Sequence, residues 1–150
     1  MTRALVNGLP LPSLLVDLLA AHRWCHPGDA ILQTVVPWIK DPLVFLPSLK
    51  EMAIASQWEL FIEDPDFAAF IHYARGAQSV TPMELPWLDV EQAIFILSSQ
   101  WPGDDQGVAL DYRTSRTDPR VLASDWETTH ACLWREVTPT FSAFVQQLGL

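Results

Sequence analysis

Four apolar runs fill the second half of the chain, and the short stretches between them leave few folds open. They are AIFILSS (93–99), GVALDY (107–112), RVLASDW (120–126) and CLWREV (132–137). The first is apolar on both faces, as suits a central strand covered on both sides. The second alternates, with Val108, Leu110 and Tyr112 on one side. WPGDDQG, RTSRTDP and ETTHA join the runs and carry turn residues. A parallel pair needs a crossover of a dozen or more residues, so these short connections predict an antiparallel meander.

Helical signals precede the meander and close it. LPSLLVDLLAA sets Leu14, Leu15, Leu18 and Leu19 on one face, with Ser13 as the expected N-cap. The whole apolar stretch from Arg3 to Ala21 reads as helical. HPGD breaks the chain, and DAILQTVVPW predicts a short helix capped by Asp29 and halted before Pro37. Ser48 and Glu51 have capping-box spacing, so a longer helix is expected to start near Leu49 and to fade near Asp64. DFAAFIHYARG has the pattern of another helix, closed by Gly76. At the end, TPTFSAFVQQLGL offers Thr138 as cap and Pro139 as first helical residue. Phe141, Phe144, Val145 and Leu148 form its stripe, and Gly149 its stop. The expected class is therefore α+β: N-terminal helices and a C-terminal helix packed around a mainly antiparallel sheet of about four or more strands, in a single domain over 1–150.

The apolar fraction of 49%, with seven tryptophans, supplies a real core. Eighteen acidic against nine basic residues give a net charge of -9. Such a surface repels phosphate backbones, so direct nucleic-acid binding is not expected, and it attracts basic partners. Pro10, Pro12 and Asp17 interrupt the N-terminal apolar stretch against a signal-peptide reading. No run approaches the roughly 20 apolar residues of a membrane span. Two cysteines are too few for a disulfide framework, and reduced thiols in a cytoplasm are the simplest reading.

Three groupings invite chemistry. His22, Cys25 and His26 in HRWCH, with His130 and Cys132 in HAC, hold potential zinc ligands. Their spacings match no familiar zinc module, so no metal and no cofactor is expected. Glycine-rich phosphate loops and the G-x-S-x-G elbow are missing from the sequence. Asp104, Asp105, Asp111, Asp118 and Asp125 crowd one region, where paired carboxylates can act as acid and base or hold a divalent metal. Asp104, Asp105 and Asp118 equally suit turns, bonding their own backbone, and Arg113, Arg116 and Arg120 are placed to pair with Asp111 and Asp125. No catalytic residue is assigned. Asp104, Asp105, Asp125 and Glu127 are instead expected to form an exposed acidic surface that attracts a partner.

The order of segments resembles the SUKH superfamily, the Smi/Knr-type domains. The likeness rests on LPSLLVDLL, the residues of RWCHPGD, PWIKDPLVFL, LPWLDVEQAIFI, GDDQGVALDYRT, DPRVLASDW and the closing TPTFSAFVQQLGL. It spans nearly the whole chain. It implies helices around a mainly antiparallel sheet, no catalysis, and for many bacterial members an immunity protein that binds and blocks a cognate toxin, often a nuclease. Regulatory and scaffold proteins are the other relatives. Leu110, Asp111, Tyr112 and Trp126 match the pattern as structural residues. The readings to be weighed are a toxin-binding immunity protein, a regulatory or scaffold module, and a metal-assisted hydrolase using Asp104, Asp105, Asp111 or Asp125.

Overall fold

A computed structural model describes residues 4–60, 85, 88–100, 106–125 and 133–150. The fold is α+β. A five-stranded antiparallel sheet runs in simple sequence order through β3 (Leu43–Phe45), β4 (Ala93–Ser99), β5 (Gly107–Asp111), β6 (Arg120–Asp125) and β7 (Leu133–Thr138). The meander expected from the four apolar runs is therefore present, extended at one edge by the three-residue β3. Helices α1 (Ser13–Ala20), α2 (Asp29–Val35) and α3 (Leu49–Leu60) come before the meander's main strands, and α4 (Phe141–Leu148) follows them. The helix expected over DFAAFIHYARG and the expected end of α3 near Asp64 lie outside the described residues.

The start of the chain differs from the all-helical expectation. Leu5–Val6 (β1) and Leu9–Pro10 (β2) pair antiparallel, with Val6 opposite Leu9. That leaves Asn7-Gly8 as a two-residue turn. Both turn residues have positive φ, 52° and 80°. This is the left-handed geometry that matches strand twist and favours Asn-Gly. Tyr112 fastens the hairpin to the sheet by donating from its hydroxyl to the Pro10 carbonyl at 2.7 Å. Burial pushes that hydroxyl's pKa up, so it stays a donor across the physiological range.

Three expected caps move by a residue or two. Helix α1 starts at Ser13, so Pro12 stands at its cap position and no side chain caps it. Asp29 is the first helical residue of α2, after Gly28. At α4 the helix starts later than expected, because Thr138 still belongs to β7 and Pro139 follows it as a bend. Thr140 is the cap, accepting from the Ala143 N–H through its hydroxyl. Gly149 then ends α4 at φ 74°, as expected. The Ser48 hydroxyl accepts from the Glu51 N–H at 3.1 Å, as the capping spacing before α3 implied.

The pairing register assigns every strand residue to a face. Phe95, Ala109, Asp111, Arg120, Leu122, Trp134 and Glu136 share one; Leu97, Val108, Leu110, Val121, Ala123, Asp125, Leu133 and Arg135 share the other. Ile96 and Val137 are the extra residues at the two places where the register shifts. All of β5 and β6 is buried, so the sheet is covered on both faces. On the first face the Phe95 ring lies over Gly107, where an added Cβ would come within 2.6 Å of it. Phe95 also meets Trp134 edge-on at 5.9 Å. On the second face Trp24 packs between Phe45 (4.8 Å) and Phe141 of α4 (5.8 Å).

Phe141 and Phe144 are both fully buried. Truncating either to Ala removes a ring and leaves a cavity, so each variant is expected to lose about 3–5 kcal/mol. Urea unfolding checks this: an unchanged midpoint for both variants would show that α4 does not dock as described.

Candidate functional site

The acids and arginines of the region from Gly107 to Glu136 form two separate centres. The first is built around Asp111, the last residue of β5. Its side chain is fully buried and takes donors from both ends of the connection to β6. The Arg113 side chain donates to both carboxylate oxygens, from Nε at 2.9 Å and from Nη2 at 3.0 Å, and the Arg113 backbone N–H adds a bond at 3.1 Å. Arg120, the first residue of β6 and the cross-strand partner of Asp111, donates from Nε to Oδ2 at 2.8 Å. Glu136, across on β7, stands 3.9 Å from the far side of Arg120. Burial alone would oppose ionisation of Asp111. The bonds from Arg113 and Arg120, with the Arg113 charge, outweigh it and hold the carboxyl below its ordinary pKa.

The connection itself is stitched closed. The Thr114 hydroxyl accepts from the Arg120 N–H, and the Ser115 hydroxyl accepts from the N–H groups of Thr117 and Asp118. The Asp118 carboxylate does not bond its own turn, as a loop aspartate was expected to do. It reaches the first turn of α4, where one oxygen accepts from the Ser142 N–H at 3.0 Å and the other from the Ser142 hydroxyl. Helix α4 thus has two of its free N–H groups satisfied, one by Thr140 and one by an acid from a distant loop. The negative charge also sits at the favourable end of the helix dipole.

The second centre lies at the other end of β6. Asp125 is fully buried and accepts from Arg135 Nη1 at 3.1 Å. The Arg135 guanidinium is half exposed and stacks over the Trp38 ring at 4.1 Å. The expectation that Asp125 belongs to an exposed acidic surface is therefore corrected: its carboxylate is in the interior, because β7 brings Arg135 beside it. Its arginine partner is also none of the three expected. Arg113 and Arg120 are both engaged by Asp111, and Arg116 stands exposed on the loop. Asp104, Asp105 and Glu127 lie outside the described residues.

The two buried carboxylates cannot work as a pair. Arg120 shares a face with Asp111, and Asp125 follows Arg120 by five residues along a regular strand, which puts Asp125 on the opposite face. The same five residues separate the centres by about 16 Å along β6. Paired acid–base carboxylates or a shared cation need their oxygens on one side and within a few ångströms. Among the described residues no three His, Cys, Asp or Glu side chains converge on a common point. Cys25 is a free, exposed thiol, while His72, His130 and Cys132 lie outside the described residues. No described helix is long and apolar enough to cross a membrane.

No protein-family model matches the chain, and neither a curated protein nor a solved structure matches it.

Replacing Asp111 with Asn keeps the shape but strands two guanidinium groups, one of them buried. The expected loss is about 3–5 kcal/mol. The sign with pH follows from the lowered pKa. Asp111 contributes its full stabilisation above the carboxylate's ordinary range, and loses it as pH falls through the lower folded-state value. Urea midpoints followed from neutral to acid pH are expected to converge for the wild type and Asp111→Asn. A gap that stays constant to acid pH would remove Asp111 ionisation from the account.

Proposed function

We propose that the chain is a non-enzymatic binding module, an immunity protein of the SUKH type that occupies a basic surface of a cognate toxin. The observation that carries this reading is the distribution of charge. Two acids and three arginines are used within the two carboxylate centres. The remainder of the chain then has sixteen acidic residues against six basic ones, more lopsided than the whole. A surplus of this kind repels nucleic acid and speeds encounter with a cationic protein. The order of elements, helices before an antiparallel meander and one helix after it, also agrees with what the SUKH likeness implies. A nuclease is a natural target, since its own nucleic-acid surface is basic. The proposed place of action is the cytoplasm.

Co-expression tests the reading. The chain is produced in cells together with a candidate toxin domain, chosen from the genes that neighbour its own. Survival, with a stoichiometric complex on purification, supports the proposal. Undiminished killing with no complex would sink it.

Asp104, Asp105 and Glu127 remain the proposed steering acids, without Asp125. Asp104→Lys combined with Asp105→Lys is expected to slow association with the toxin about tenfold at low salt, with the difference shrinking as salt rises. Stopped-flow association across a salt series measures this. A double Asn variant separates loss of charge from loss of turn structure. A folded Lys variant that associates at the wild-type rate in low salt would place the contact face elsewhere.

A further inference from the structure

Asn7 is the only asparagine in the chain, and a glycine follows it. The pair forms the turn of the β1–β2 hairpin, and both residues are exposed. Nothing lies within 4 Å of where a Cβ on Gly8 would stand, so its backbone nitrogen is unshielded on that side. A glycine after asparagine is the arrangement in which a backbone nitrogen most readily reaches the side-chain amide carbon, because no Cβ obstructs the approach. Gln106 also precedes a glycine. There the ring to be closed is larger, and the Gly107 N–H is held by the Ser124 hydroxyl at 3.0 Å.

The closed hairpin opposes this reaction. Asn7 sits at φ 52° and Gly8 at φ 80°, the left-handed pair of a two-residue turn. Joining the Gly8 nitrogen to Cγ of Asn7 would fix the Asn7 ψ inside an imide ring, far from the left-handed well, so the turn must open first. Each strand of the hairpin has only two residues. Beyond the Val6–Leu9 pair, the Leu11 N–H donates to the Ala4 carbonyl at 2.9 Å. An isolated hairpin is marginal even when longer than this. Its opening is therefore governed by what holds it to the rest of the fold: Val6 and Leu9 in the core, and the Tyr112 hydroxyl at the Pro10 carbonyl.

We propose that Asn7 is a site of self-modification, converted to aspartyl and isoaspartyl forms at a rate set by opening of the hairpin that Tyr112 tethers. In the open turn the Gly8 amide gives its proton to hydroxide, and its nitrogen attacks Cγ of Asn7. The N–Cγ bond forms, the Cγ–Nδ2 bond breaks, and ammonia leaves with a proton taken from water. A second water then opens the imide. Hydrolysis at Cγ restores the normal main chain, now with an aspartate. Hydrolysis at the main-chain carbonyl carbon instead routes the chain through the side chain, as isoaspartate. Aspartate tolerates the left-handed region and keeps the turn. Isoaspartate adds a main-chain atom, so the two-residue turn no longer holds Val6 opposite Leu9.

The test is peptide mapping by mass spectrometry of the full chain incubated at mildly alkaline pH, with ammonia release followed alongside. Three rates are compared: folded wild type, urea-unfolded wild type, and folded Tyr112→Phe, which removes the hydroxyl and keeps the ring. Conversion at Asn7 is expected in all three, fastest in the unfolded chain and slowest in the folded wild type. Tyr112→Phe is expected to react roughly three- to ten-fold faster than the folded wild type, the net effect of losing one hydrogen bond. Local opening exposes little surface, so the wild-type rate is expected to change little with urea below the global transition. No conversion in the folded wild type over the time that fully converts the unfolded chain would overturn the site. Equal rates in the folded and unfolded wild type, or an unchanged rate in folded Tyr112→Phe, would overturn control by the tethered hairpin. So would a wild-type rate that climbs with urea in step with global unfolding. The urea series uses the wild type alone, so it decides the question even if Tyr112→Phe does not fold.

Discussion

The Asp111 carboxylate closes the β5–β6 connection from both ends, and much of the chain's geometry hangs on that closure. One arginine follows it by two residues and the other faces it across the ladder, so a single buried charge sets where the turn begins and where β6 resumes. With the stem fixed, the internal bonds of Thr114 and Ser115 hold the loop, and Asp118 arrives at the N-terminus of α4. Helix α4 then presents Phe141 to Trp24, which also holds β3 through Phe45. Charge pairing, helix capping and aromatic packing are consecutive links of one chain of contacts. A buried ion pair contributes little net free energy compared with apolar packing, but it is costly to break on one side only. It ties the end of β5 to the start of β6 in the observed register.

That register also decides between two uses of the acids. In sequence, Asp111 and Asp125 look equivalent: each ends an apolar run and precedes an aromatic residue. In the sheet they differ in face and in end, because the separation from Arg120 to Asp125 is odd and β6 has no extra residue of its own. Alternation in a strand is strict, so one residue of spacing determines whether two carboxylates can meet. These two do not.

The legible parts of the fold were those written in local patterns. The four apolar runs with short connections specify the meander, and the Phe141, Phe144, Val145, Leu148 stripe specifies α4. The Asn7-Gly8 turn was also local and readable, but the long apolar stretch around it masked a two-residue strand on either side. The caps slipped where proline intervened: Pro139 fits a first helical position, yet β7 extends through Thr138 and leaves capping to Thr140. The candidate site was less legible, because its decisive contacts are long-range. Nothing near Asp125 in sequence announces Arg135, which arrives only when β7 pairs with β6, or Trp38, which comes from the far side of β3. Asp118 has the composition of a turn residue, and its helix-capping role depends on a partner 24 residues away.

The same contacts bear on where a partner can dock. Among the described residues the sheet has two edges, and both carry features that resist strand addition. β3 is three residues long and lies between Pro42 and Pro47. β7 is longer, but it holds Val137 as an extra residue and directs Arg135 and Glu136 to opposite faces, both exposed. Short length, an irregularity and charge are the usual means by which an edge is kept from pairing with another chain. A two-fold pairing of β7 with its own copy, centred on either charged residue, would set like charges directly opposite, which is unfavourable. Partner contact through backbone pairing is therefore disfavoured at both edges, and recognition falls to side chains on helices and connections.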